Sequence, residues 1–243
     1  MCGRYALSKL PAHLIEEFEI HTGESLPATA VLPADWNIAP TKKIYIIRHN
    51  SEGQRELATA SWGLIAPWSK SDADAVKSQS IAINARTESV DEKPTFRNAF
   101  KSRRCLIPAD GYYEWATELA APSKQPFYIS RSDEKTLLFA GIWDRWISPS
   151  GEIRESASII TREAVTPLAQ IHHRMPTFLP KERWDAWLNT GLVDVAQIRK
   201  LMDVQFPADG IQAHPVSKAV NLVRNSGPEL TTAVELGEPE TLF

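Results

Sequence analysis

The chain begins MCGRYALS, and its second residue is one of only two cysteines in 243 residues. Removal of Met1 would leave Cys2 with a free amine and a thiol on neighbouring carbons, a bifunctional nucleophile that no internal cysteine can imitate. A thiol with a reference pKa near ~8.5 and an α-amine near ~7.7–8.0 are both partly nucleophilic at neutral pH. The amine adds to an aldehyde to give a Schiff base, and the thiol can then close on the imine carbon as a five-membered thiazolidine. Such an adduct is far more durable than a lysine imine. The competing reading makes Cys2 a small apolar residue packed inside the fold, since free cysteine is among the most buried types. Position alone leaves both open.

Composition narrows the setting. With 43% apolar residues the chain can bury a real core and fold alone, and 243 residues fit one large domain. No run of 18 or more apolar residues appears, and the amino terminus lacks a basic segment followed by an apolar one. No membrane partner is expected, and the expected compartment is the cytoplasm, near the nucleoid in a bacterium. Cys2 and Cys105 make neither a disulfide framework nor a metal cluster, so neither metal nor cofactor is expected. A net charge of -3 argues against coating nucleic acid through bulk electrostatics. Lys93, Arg97, Lys101, Arg103 and Arg104 form a local basic run, read either as a groove or as a solvated face.

The elements that must carry this chemistry emerge from periodicity. Leu10, Leu14, Ile15 and Phe18 have helical spacing with Pro11 early, which predicts a first helix over 10–20. Short β-branched or aromatic runs bounded by turn residues predict strands at 43–49, 56–64, 80–84, 104–109, 111–115, 126–131, 136–143 and 156–162. Late helices are predicted at 179–189 and 193–202, the second ending before a turn at Pro207 and Gly210. Strands dominate the middle without regular βα alternation, and the 17 prolines mark no single linker. The predicted fold is therefore α+β, one domain over 1–243 with a mainly antiparallel, barrel-like sheet flanked by helices. Cys105, inside the apolar RCLIPA, is assigned to the core, as are most tryptophans, including Trp143, Trp184 and Trp187.

Eight segments in consistent order then line up with one family: MCGRY, WNIAP (36–40), SWGLIAPW (61–68), INARTES (83–89), RRCLIPADGYYEW (103–115), IITREA (159–164), IHHRMP (171–176) and HPVSKAVN (214–221). Together they resemble the SOS response-associated peptidase (SRAP) family of abasic-site processing proteins, with the matching core running over about 2–225. The resemblance implies a compact α+β domain around a barrel-like sheet. It implies that Cys2 crosslinks to the ring-opened sugar of an abasic site in single-stranded DNA, shielding the lesion, and that the protein removes its own Met1. Lyase and peptidase activities belong to the same expectation. The expected partner is single-stranded DNA carrying abasic sites, 3′ single-strand to double-strand junctions included, met by a monomer.

Carried over residue by residue, the resemblance makes Cys2 the nucleophile and Asn84 the amide that orients it. It makes Glu114 the active-site carboxyl group that moves protons during sugar opening and dehydration, and His172 an imidazole that exchanges protons near neutral pH. Taken alone, Asn84 reads as a strand-end residue, Glu114 as a solvent-facing strand residue between Tyr113 and Trp115, and His172 as a satisfied core histidine. His173 stands where the family's usual IHDRMP pattern has an aspartate, which removes a charge beside the site. Arg4, Arg86 and Arg174 match phosphate-contacting arginines, Trp68 offers a stacking surface, and Asn37 and Pro40 line the same groove. Ser217 and Lys218 are weaker candidates for backbone contact. Each arginine could instead close an internal ion pair, Arg86 beside Glu88 above all.

Two rivals make different predictions. Glutamine amidotransferases of the amino-terminal nucleophile type also begin Met-Cys-Gly, but the downstream HTR-like and NGE-like segments they carry are not found here. A noncatalytic single-strand binding module would bind DNA in a salt-sensitive way regardless of whether a base is missing.

Overall fold

The computed structural model describes residues 2–21, 31–116, 124–204 and 210–236. The chain opens with β1 (Arg4–Leu7) and α1 (Pro11–Glu17). This first helix is shorter than the apolar spacing predicts, because the backbone turns left-handed at Glu19 (φ 52°). Next come β2 (Asp35–Ile38), β3 (Lys43–His49) and β4 (Arg55–Trp62), then α2 (Asp72–Ile81), β5 (Asn84–Arg86) and α3 (Pro94–Ser102). The central strands are β6 (Arg104–Ala109), β7 (Gly111–Ala116), β8 (Gln125–Arg131), β9 (Leu137–Ile147) and β10 (Ile153–Glu163). The chain continues through β11 (Arg174–Pro176), α4 (Trp184–Leu188), α5 (Val195–Met202) and β12 (Ile211–Pro215).

Five strands close into a barrel-like sheet. They run in the order β10, β4, β3, β6, β9, and β9 pairs again with β10 from Ile153↔Ile147 to Ile159↔Gly141. Most pairings are antiparallel, while β10 runs parallel to both β4 and β5. The second sheet is antiparallel throughout, in the order β12, β8, β7, β1, β2. Alternation along its strands gives it two apolar faces. Tyr5, Leu7 and Tyr112 join the barrel core of Ile46, Leu106, Phe139 and Ile159, whereas Ala6 and Tyr113 pack with Tyr128, Val216, Val220 and Leu230. Gly111 permits this stacking: a Cβ there would lie 2.5 Å from the Tyr128 ring and 2.6 Å from the Ile129 carbonyl oxygen.

The fold is the α+β, barrel-like class that the strand-rich middle predicts. Cys105 and Trp187 are fully buried, and Trp143 and Trp184 pack against the same core. Two segments differ from their sequence reading. The predicted strand at 80–84 instead takes in the last two residues of α2, a two-residue link and the first residue of β5; α2 is nucleated by the Ser71 hydroxyl, which accepts from the Asp74 amide at 3.1 Å. Ile81 is 78% exposed there, so its apolar character reflected no core contact. The basic run from Lys93 is neither of the two uniform surfaces offered for it. Most of it is α3, with Pro94 in its first turn and Phe96, Ala99 and Phe100 inward. Its charges divide: Lys93, Arg97 and Lys101 are exposed, Arg103 pairs with Asp144 at 2.9 Å, and Arg104 is buried.

Of the late helices, the first is a 3-10 turn (Lys181–Arg183) leading into α4, and the second is α5, capped by Asp194 on the Gln197 amide at 3.0 Å. Pro207 lies outside the described residues, and Gly210 takes φ +109°. No helix among the described residues is long and apolar enough to cross a membrane.

Candidate active site

Cys2 is tied down by the strand it leads into. β1 lies between β2 and β7, so it is interior to its sheet and not a fraying edge. Cys2 itself has no exposed surface. Burial pushes its thiol well above the ordinary range, and the nearby Glu114 carboxylate pushes it further. At neutral pH the thiol is therefore protonated. Tyr5 and Tyr112, whose own pKa values are raised by burial and then by the Cys2 charge, belong to the same enclosure.

Asn84 reaches Cys2 from the barrel. β5 runs parallel to β10 with Asn84 opposite Ile159, and the preceding Ile83 carbonyl accepts from the Trp62 indole at 3.0 Å. From this platform the Asn84 Nδ2 donates to the Cys2 carbonyl oxygen at 2.8 Å. Its Oδ1 is buried and has no hydrogen-bond donor among the described residues. A buried amide oxygen left this way is an open acceptor beside the Cys2 backbone.

Glu114 comes from β7, opposite Phe127, with its side chain 5% exposed. It faces the enclosed side and not solvent, and burial raises its pKa. His172 comes after the 3-10 turn Leu168–Gln170 and places Nε2 3.4 Å from Glu114 Oε1. Its Nδ1 accepts from the Arg174 amide N–H at 3.0 Å. The Arg174 carbonyl lies 3.3 Å from the same nitrogen, but an amide hydrogen cannot face a protonated Nδ1. The neutral ring thus carries its proton on Nε2, aimed at Glu114. Burial lowers the His172 pKa to about 4, so this imidazole is a neutral N–H donor near pH 7 and does not titrate there. The His173 ring stacks on it, centroids 4.3 Å apart.

The DNA-binding candidates separate into braces and exposed groups. Arg4 Nη1 donates to Asn37 Oδ1 at 2.7 Å and to the Val220 carbonyl at 2.9 Å. Asn37 is fully buried and donates to the carbonyls of Val220, Leu222 and Asn225 at 3.2, 3.1 and 2.7 Å. It fastens the 220–225 segment to β2 and does not itself line a groove. Arg174 is 8% exposed, its fork filled by Glu88 (2.6 and 3.1 Å) and by the Thr161 carbonyl (2.6 Å). Internal pairing therefore claims Arg174, while Arg86, the arginine expected to pair with Glu88, is exposed and makes no ion pair among the described residues. Trp68 is 54% exposed, Pro40 and Lys218 are half-buried, and Ser217 is exposed, capping the Ala219 amide at 3.2 Å.

Sequence reasoning missed Glu88 and Thr161 as supports, since their partner Arg174 is remote in sequence and nothing local signals the pairing. A cavity of about 680 Å³ elsewhere, lined by Phe18, Leu138, Met175, Phe178 and Trp184 among others, contains none of Cys2, Asn84, Glu114 or His172.

Comparison with known proteins identifies the family. The family described as SOS response associated peptidase (SRAP) matches residues 1–223. The abasic site processing protein YoqW of Bacillus subtilis is 36% identical over 230 residues, covering 95% of this chain and 98% of that protein. The abasic site processing protein HMCES of Gallus gallus is 36% identical over 208 residues, covering 77% of this chain and 60% of that protein. A crystal structure of a protein from Bacteroides thetaiotaomicron superposes with a TM-score of 0.84 at 28% identity, over 96% of this chain and 100% of that one. The chain belongs to the SOS response-associated peptidase family.

Proposed function

We propose that this protein processes abasic sites in single-stranded DNA by capturing the ring-opened sugar on Cys2. The observation that carries the reading is the 2.8 Å bond from Asn84 to the Cys2 carbonyl, beside a buried carboxyl group and a neutral imidazole 3.4 Å from it. Relatives named as abasic site processing proteins support the same substrate.

The chemistry runs in a fixed order. Hydrolysis of the Met1–Cys2 amide consumes one water and frees the Cys2 amine. The amine attacks first, because burial holds the thiol protonated while an α-amine with pKa about 7.7–8.0 is already partly neutral near pH 7. It adds to the C1′ aldehyde as a carbinolamine, oriented by the open Asn84 Oδ1. Glu114, whose raised pKa lets it carry a proton, protonates the departing hydroxyl, and water leaves an iminium. That positive carbon draws the thiol in. Sulfur bonds to it, the thiol proton passes to the Glu114 carboxylate, and a thiazolidine results. The balance is aldehyde plus aminothiol giving thiazolidine plus water, with no change of oxidation state. His172 Nε2–H steadies the Glu114 charge between the two transfers.

In the same reading Arg86 meets phosphate and Trp68 accepts an unstacked base, with Pro40 and Ser217 beside the strand. Arg4, Asn37 and Arg174 brace the walls. The protein works as a cytoplasmic monomer of one domain, on single strands and at 3′ junctions. Intact mass measurement before and after mixing with an abasic oligonucleotide tests the proposal. The expected masses are the chain without Met1, then that chain plus one oligonucleotide less one water, with no adduct from Cys2→Ala. Retention of Met1 throughout, or an unchanged adduct with Cys2→Ala, overturns it.

A further inference from the structure

Cys2 leads into β1, which pairs directly with β7, the strand of Glu114, whereas Asn84 is set by β5 and His172 by the approach to β11. β10 lies between β5 and β11 and pairs with both, and an ion pair spans it. Glu88 lies two residues beyond β5, and its carboxylate takes both terminal nitrogens of Arg174, the first residue of β11. The third contact on that guanidinium is the Thr161 carbonyl at 2.6 Å, and Thr161 lies on β10 between the two, paired with Arg86 on one side and Pro176 on the other. β11 is only three residues long and pairs along one edge of β10. Beyond these ladder pairs, β11 is held by the buried Met175 and by the Arg174 side chain. The same residue's amide N–H is the group that holds His172 Nδ1.

We infer that Glu88 is a positioning residue for the reaction: by clamping Arg174 across β10 it ties the start of β11 to the end of β5, keeps the His172 proton on Nε2 facing Glu114, and so holds His172 in register with Asn84. The carboxylate is suited to this task. A bidentate carboxylate–guanidinium pair fixes orientation as well as distance, and Arg174 contributes a nearly buried fork while Glu88, 53% exposed, closes it from outside. The inference rests on the abasic-site reading for its kinetic consequence, but its structural consequence does not depend on DNA.

The test uses the full chain labelled with ¹⁵N. Long-range proton–nitrogen spectra of the wild type are expected to show His172 with Nδ1 unprotonated and Nε2 protonated at pH 7. In Glu88→Ala the two nitrogen shifts should move toward each other as the tautomers mix. Crosslinking to an abasic oligonucleotide should slow about tenfold, the scale set by small misplacements of reacting groups, and Glu88→Gln, which keeps one acceptor, should fall between. If Glu88→Ala does not fold, Glu88→Gln against the wild type carries the same comparison. Variant shifts identical to those of the wild type overturn the inference whatever the crosslinking rate. A wild type that forms no adduct removes the abasic-site reading and leaves the tautomer comparison to decide this one.

Discussion

The Asn84 side chain donates to the Cys2 carbonyl oxygen at 2.8 Å across a separation of 82 residues, joining the barrel to the strand that begins the second sheet. That bond fixes the Cys2 backbone without touching its sulfur, leaving the reactive atoms to the substrate. Asn84→Ala should therefore slow crosslinking by about 10- to 100-fold, as misoriented reactants do. Stability should change by only about 1 kcal/mol, the net value of one hydrogen bond. Adduct time courses on denaturing gels, with chemical denaturation of the same sample, check both; wild-type kinetics would remove the orienting role.

Glu114 is ionisable and buried, and the sign of its effect on stability is fixed. Its folded pKa is raised above the usual 4.5, so the folded state holds its proton more tightly than the unfolded chain does. Stability then falls as pH rises through the unfolded value, and levels off above the folded one. Glu114→Gln should be more heat-stable than the wild type near pH 8, with the advantage vanishing near pH 4, while crosslinking drops by on the order of 10² or more. Melting curves across that range check the sign. A variant that is less stable at high pH would contradict it.

His172 behaves oppositely. Its pKa is lowered to about 4 from the ordinary 6.5, so the unfolded chain takes up a proton first as pH falls, and stability is lost between those two values. The ring nitrogens should show no protonation step between pH 6 and 8. A titration midpoint in that interval, followed by NMR, would restore the histidine to a proton-exchanging role.

Among the family-matched arginines, Arg86 is the exposed one. Arg86→Ala should weaken binding to single strands with and without a lesion alike, and lower the dependence of log affinity on log salt by about 0.7. Fluorescence anisotropy over a salt series measures this. An unchanged slope would place the phosphate contact elsewhere.

Arg104 carries a stability prediction. It is 2% exposed and donates to the carbonyls of Phe100, Lys101, Trp187, Asn189 and Leu192, joining the end of α3 to α4 and the turn beyond. Burial lowers its pKa to about 10, so it remains charged at neutral pH. Arg104→Leu strands those acceptors and should cost about 3 kcal/mol or more in urea denaturation; a neutral result would mean that the carbonyls find water.

Local pattern alone determined much of this protein. β3 at 43–49 and β6 at 104–109 could be read to the residue, because alternating or continuous β-branched runs bounded by turn residues have one economical conformation. The chemistry of Cys2 was equally legible, since an amine and a thiol on adjacent carbons need no neighbours to define them. What the tertiary structure alone decided is which charges are spent internally. Arg86 and Arg174 are indistinguishable as residue types, yet one is exposed and the other fills its fork with Glu88, 86 residues away. The protonation of the site is likewise a property of the assembled fold: an imidazole lowered to about 4, a carboxyl raised, and a thiol kept neutral all stem from burial. Sequence specifies residue types and local periodicity, but desolvation and ion pairing depend on which distant segments the two sheets bring together.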